Sequence, residues 1–303
     1  MGEKRGCFKT GCMGCLGVLA VGAVFLGITA IVAMRGAGNK DVVDREISAV
    51  SDSLVAVGQA DEAILSAGGK LVLMLSQGEF EILPAPAGET LTIKANFDDD
   101  IYNLEHKLET LPDSTWVYQV RFYRTIGGLQ ALMRQLVGGG HDNSIQIYIP
   151  QDVPIELVID SSEGGFEAEL GGLWLTSADI KFAKGGFALE ISEPLREPMD
   201  SLMIHGNMGG FDAEGIGNAS PRIMGVRCSM GGAQIDMNGN WLNDCDAHIS
   251  VKMGGMAVVV PDDVIVEGVE VQGDSLRLSE SEVLIPVLRL SLSQSMGEIE
   301  VIR

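Results

Sequence analysis

Basic side chains are scarce in this sequence. Lys and Arg number 21 against 42 Asp and Glu, for a formal net charge of −21. No Lys/Arg cluster interrupts that background, so the chain repels nucleic acid and anionic headgroups, and nucleic-acid binding is excluded. Aromatic residues make up only 5%, which points to a narrow core of small aliphatic side chains with little room for rings. Catalytic fingerprints are missing as well. The four histidines, His106, His141, His205 and His248, form no H-E-x-x-H or H-x-H pair, so a metallohydrolase has no ligand set. There is no G-x-S-x-G, and the many glycines lack the strand-then-helix setting of Walker A or Rossmann loops. No catalytic, cofactor-binding or metal-binding residue is assigned, and the expectation is a non-catalytic protein without a cofactor.

Charge is missing from one stretch altogether. Residues 16–34 read LGVLAVGAVFLGITAIVAM, and nineteen apolar residues at about 1.5 Å each span the hydrocarbon core of a bilayer. The apolar region of a cleaved signal peptide is shorter and ends in small residues at a cleavage site. Here Arg35 follows directly, so a transmembrane helix is the stronger reading. Lys4, Arg5 and Lys9 precede it, while Arg35, Lys40 and Arg45 follow. Positive charge is nearly balanced, and the short basic tail favours N-inside with the large domain outside the cytoplasm. Residues 1–34 hold three basic residues and one acidic, which leaves −23 for residues 35–303.

The tail, 1–15, carries Cys7, Cys12 and Cys15. The C-x4-C-x2-C spacing is that of a plant-type iron–sulfur run, but a fourth thiolate and a folded loop are missing. Lipidation or plain reduced thiols remain.

Residues 35–60 read as a polar linker with at most a short helical or extended piece. Residues 61–150 read as an N-terminal β region, with short alternating strands at 71–75, 80–82, 91–95, 116–122 and 145–149 between Pro, Gly and Asp clusters. One segment breaks the alternation. Leu129, Leu132, Met133, Leu136 and Val137 follow helical spacing between glycine clusters, which predicts a short amphipathic helix over 129–137.

Residues 151–303 contain a repeat. Glycine pairs begin at Gly164, Gly185, Gly209, Gly231 and Gly254, at intervals of 21, 24, 22 and 23 residues, and Gly297 follows 43 later. The flanks align in columns: Ile204, Val226, Ile249; then Gly206, Cys228, Val251; then Met208, Met230, Met253, with Met296 at the same place. After the pair come Phe187, Phe211, Ala233, Met256, Ile299, and then Leu189, Ala213, Ile235, Val258, Val301. GEFEI at 78–82 matches GEIEV at 297–301. Recurring columns at this period suit the rungs of a parallel β-solenoid, stacked about 4.8 Å apart, better than a sandwich. The fold class expected is all-β: one N-terminal transmembrane helix and a β-solenoid-like repeat domain. The alternation places the methionine column in the core, as ordinary gap filler in preference to a soft-metal ladder, and Gln234 outside.

Four features read as structural. His205 falls in an outward column. Asp98-Asp99-Asp100 and Asp262-Asp263 read as turn chemistry, lacking the alternating ligands of a calcium loop. Cys228 stacks on Val251 in this register, while Cys245 lies six residues short of Val251, about 20 Å along an extended chain. A disulfide needs Cα atoms within about 7 Å. Two unpaired thiols are therefore expected, with Cys245 near a turn and held protonated by Asp244 and Asp246.

The stretches LVLMLSQGEFEILP at 71–84, IYIPQDVPIELVI at 147–159, GGLWLTSADIKF at 171–182, GIGNASP at 215–221 and VVVPDDV at 258–264 resemble the LiaF-like, or toast-rack, family of bacterial envelope proteins, over roughly residues 62–303. The resemblance implies the repeat fold and a role through partners in envelope stress or the response to cell-wall antibiotics. A single membrane helix departs from the LiaF layout. The expected function is a membrane-anchored scaffold or sensor-partner; the alternative is an envelope ligand-binding or adhesin-like module for a cation or glycan.

Overall fold

The computed structural model describes residues 42–48, 68–113, 115–127, 143–269 and 285–303. The apolar run 16–34, the cysteine tail, the helix predicted over 129–137 and His141 lie outside them. Among the described residues no helix is long and apolar enough to cross a membrane.

The described chain is all-β, with its strands joined in one open sheet and a single 3-10 turn at Ile216–Asn218. In chain order the strands are β1 (Val42–Ser48), β2 (Gly69–Leu75), β3 (Gly78–Pro84), β4 (Thr92–Asp98), β5 (Tyr102–Thr110), β6 (Trp116–Arg124), β7 (Ser144–Ile149), β8 (Ile155–Ser161), β9 (Gly164–Glu169), β10 (Leu175–Glu190), β11 (Ser201–Glu214), β12 (Ile223–Asp236), β13 (Cys245–Val259), β14 (Ile265–Glu267) and β15 (Val287–Ile302).

The long strands are whole rungs. β10, β11, β12, β13 and β15 stack parallel and in register, with Gly185, Gly209, Gly231, Gly254 and Gly297 directly above one another. Every column read from the repeat is present as a ladder of partners. The short strands are rungs cut in two at the same corner: β8 and β9 pair with the two limbs of β10, β2 and β3 lie on β8 and β9, and β6 and β7 come next. A third side, without strand, runs from rung to rung through bonds such as Leu195 N–H to Asn218 O and Gly217 N–H to Asn238 O. It buries Met199, Ile216, Met237 and Trp241 against the limbs. The 43-residue step from Gly254 to Gly297 adds one rung, and β14 lies within that step and pairs with the start of β15.

Parallel stacking stops at the N-terminal end. β5 pairs antiparallel with β6, β4 with β7, and β1 with β4. The repeat does not foretell this edge, and β5 escaped the alternation because Leu104 is its one buried residue. β1 is an extended piece inside the stretch read as linker, held by buried Ile47.

Two expectations are overturned. The methionines are not core: Met208, Met230, Met253 and Met296 are 44%, 37%, 42% and 66% exposed. The ladder skips Ala183, Asn207, Ser229 and Lys252, so each rung bends one residue before the methionine column. Inward positions resume only at Phe211 and its equivalents. Extrapolating period-two alternation past Gly206 and Cys228 crosses that bend and assigns the wrong side. Gln234 does face out.

The core also has room for rings. Phe166, Phe187 and Phe211 stack at centroid distances of 5.0 and 5.3 Å, and Phe182 joins Phe187 at 5.1 Å. Phe182 fits because Gly206 is beside it: a Cβ there would lie 2.7 Å from a ring carbon. Few aromatics means that most of them are inside, not that the interior is too narrow.

Cys228 and Cys245 are both free and buried. Cys228 lies against Val251, and Cys245 pairs with Leu288 one rung on. Burial first, and the charge of Asp246 second, push the Cys245 thiol up to about 12.

Candidate functional site

The glycine pair has two members with different duties. The first, at Gly164, Gly185, Gly209, Gly231 and Gly254, has φ between +125° and +136°, a region closed to most side chains. A Cβ on any of them would overlap the carbonyl oxygen of the first glycine in the preceding rung. The corner brings backbone against backbone and admits nothing else.

The second member behaves otherwise. A Cβ on Gly165, Gly186, Gly210, Gly232 or Gly255 would meet no atom within 4 Å, and none of these has a positive φ. Neither space nor backbone conformation calls for glycine there. Its recurrence over five neighbouring strands, spaced about 4.8 Å, leaves an open furrow about 19 Å long across the rungs. On it lies a groove of about 580 Å³.

The floor is the backbone of Gly165, Gly186, Gly210 and Gly232, over the Phe166–Phe187–Phe211 stack. Glu167, Asp212 and Gln234 form one rim. The exposed methionine column lies on the other side of the glycine pairs. The next rung at each end replaces glycine by an exposed glutamate: Glu79 pairs with Gly165, and Glu298 with Gly255. The furrow is thus aromatic beneath, peptide at its surface, acidic along one rim and at both ends. No lining residue is basic.

The residues weighed from the sequence lie elsewhere. His205 sits beside Lys181 and Arg227, His248 beside Gly225 and Ser291, and His106 beside Val120 with its Nδ1 3.2 Å from the Tyr118 hydroxyl. Asp98 accepts the Asp100 N–H at 3.1 Å in the β4–β5 turn, and Asp262 and Asp263 occupy the turn before β14. Among the described residues no three His, Cys, Asp or Glu side chains converge on a metal position. The groove was not recognised from the sequence, although its signal was present. Two adjacent glycines per repeat are one more than a corner needs.

No family model matches the chain, and no curated protein matches it. Among solved structures the chain is similar to a candidate cell adhesion protein from Clostridium sporogenes at 13% identity and a TM-score of 0.42, covering 86% of this chain and 99% of that one. It is also similar to a candidate adhesin from Bacteroides fragilis, at 10% identity, a TM-score of 0.28 and coverage of 86% and 97%. A candidate lipid binding protein from Parabacteroides distasonis gives 11%, 0.27, and 87% and 98%.

Proposed function

We propose that this protein is a non-catalytic binding module of the bacterial envelope, a β-solenoid-like domain held at the membrane by the apolar helix 16–34, with the domain outside the cytoplasm. Its ligand is an extended chain lying in the glycine furrow. The observation that carries this reading is the second glycine of each pair, kept free of a side chain through five rungs where the fold makes no demand for it.

The chemistry favours a neutral or amino-bearing glycan strand. Carboxylates and an amide along the rim accept hydrogen bonds from hydroxyl and amino groups, and the glycine floor lets a flat polymer approach the backbone. An acidic furrow without a basic lining residue disfavours polyanions. The resemblance to LiaF-like, toast-rack proteins supports the envelope setting.

The test is retention of the full chain on insoluble cell-wall glycan. Gly210→Val and Gly232→Val place branched side chains in the furrow, where β-branched residues suit a strand. Retention should fall at least tenfold while the unfolding midpoint stays put. No retention by the parent chain, or equal retention by both variants, rejects the reading.

A second reading, a scaffold or sensor-partner in envelope stress, is favoured by one observation. Among the described residues β14 pairs only with residues 287–289 of β15. Among the described residues no strand covers the outer edge of β15 beyond Arg289, which leaves that edge for strand addition by a partner protein. Pull-down from membranes, with Gln294→Pro removing a donor on the side of β15 that Pro286 O turns to β14, separates this role from glycan binding.

A further inference from the structure

The exposed methionines form a second, separate feature. Met208, Met230, Met253 and Met296 are direct partners in successive pairs on β11, β12, β13 and β15. All four project from the same position beside the corner, and all are exposed. Lys184 occupies that position on β10, so the thioether column begins at Met208. Four flexible apolar side chains exposed to solvent contribute little to the core and are open to a ligand.

We propose that this column binds a soft monovalent cation, Cu(I) in the oxidation state a thioether stabilises, between sulfurs of neighbouring rungs. Thioethers are neutral, soft ligands that select Cu(I) over hard or borderline divalent ions. The spacing is suitable. With a metal–sulfur bond of the length zinc makes to thiolate, about 2.3 Å, two sulfurs on one ion stand no more than about 4.6 Å apart, close to the about 4.8 Å between neighbouring strands. Parallel, in-register stacking is what supplies it, since identical side chains on adjacent rungs leave the backbone in the same direction. The unbranched methionine arm adjusts the remaining fraction of an ångström. The charge of −23 on residues 35–303 raises the local concentration of any cation, and the thioethers decide which is kept. This site is independent of the glycan reading, because no methionine of the column lines the groove.

Ag(I), a redox-inert soft cation, is the probe. The full chain in detergent carries Cys7→Ser, Cys12→Ser and Cys15→Ser so that tail thiols do not compete. Cys228 and Cys245 are buried and remain. Calorimetric titration in chloride-free buffer should show saturable uptake of one or two Ag(I) per chain and none of Zn(II), with a silver–sulfur shell in X-ray absorption. Adding Met230→Leu and Met253→Leu, exposed swaps of nearly constant volume, should weaken uptake at least tenfold. Met74→Leu, at an exposed methionine outside the column, should leave it unchanged. The proposal is overturned by absence of saturable uptake, or by uptake that survives replacement of all four column methionines by leucine in a chain with unaltered circular dichroism.

Discussion

Gly231 and Gly232 are neighbours in sequence and near opposites in physics, so one methyl group added to each tests the corner directly. At Gly231, alanine must hold φ near +135°, at a cost of about 1–3 kcal/mol for a conformation that L-residues rarely adopt. The new Cβ would also overlap the Gly209 carbonyl oxygen and sit 2.9 Å from its carbon. Relief requires β11 and β12 to part locally, which strains ladder hydrogen bonds worth about 1 kcal/mol each. The total is about 3–5 kcal/mol. At Gly232 the Cβ meets nothing within 4 Å, and the loss of glycine's freedom in the unfolded chain stabilises by about 0.4–1 kcal/mol. For a domain of this size 1 kcal/mol shifts the midpoint by about 2–4 °C. Gly231→Ala should therefore lower Tm by about 6–20 °C, while Gly232→Ala leaves it unchanged or raises it slightly. Scanning calorimetry, with urea unfolding to confirm an unchanged m-value, reads both. Equal destabilisation by the two would refute the division of labour within the glycine pair, and with it the case that the furrow is kept open for a ligand.

The exposure of the methionine column implies that Met230→Asp costs less than about 1 kcal/mol, whereas Ile235→Ala, fully buried five residues on, costs about 2–5 kcal/mol; equal losses in urea unfolding would restore the methionines to the core. The Cys245 thiol is raised from 9.0 to about 12 in the folded chain, so its contribution is fully present below pH 9 and is lost as pH rises through the folded value. Stability should accordingly fall between pH 9 and pH 12, less steeply in Cys245→Ala, and native protein should resist iodoacetamide at pH 8 until it is unfolded. Asp244 is held below the usual carboxylate range, first by the Val287 N–H and then by Arg289. Its contribution is present above that range and lost as pH falls through the depressed value, a loss that Asp244→Asn should remove from an acid titration of stability. Protease added to intact spheroplasts should clip the domain, and full protection would place it inside the cytoplasm.

The repeat was legible because it is one-dimensional. In-register parallel stacking copies each side-chain position onto the next rung, so the spacing from Gly185 to Gly209, Gly231 and Gly254 carries the pairing partners with it, down to Cys228 on Val251 and Ile204 on Val226. Turn chemistry at Asp98–Asp100 was legible for a similar reason, since it is settled within three residues. What depends on where the backbone bends was not. Alternation names two faces, but only the bend at Asn207 and its equivalents decides that Met208 lies beyond the core edge while Gly206 lies within it. The antiparallel cap of β1, β4 and β5 matches no rung column: alternation marks β4 as a strand but not its partner, and β5 buries only Leu104. The furrow belongs to the tertiary structure for the same physical reason. Whether a glycine is required or merely allowed depends on what stands within 4 Å of its missing side chain, and for Gly231 and Gly232 that is set by a strand 22 residues away in sequence and one rung away in space.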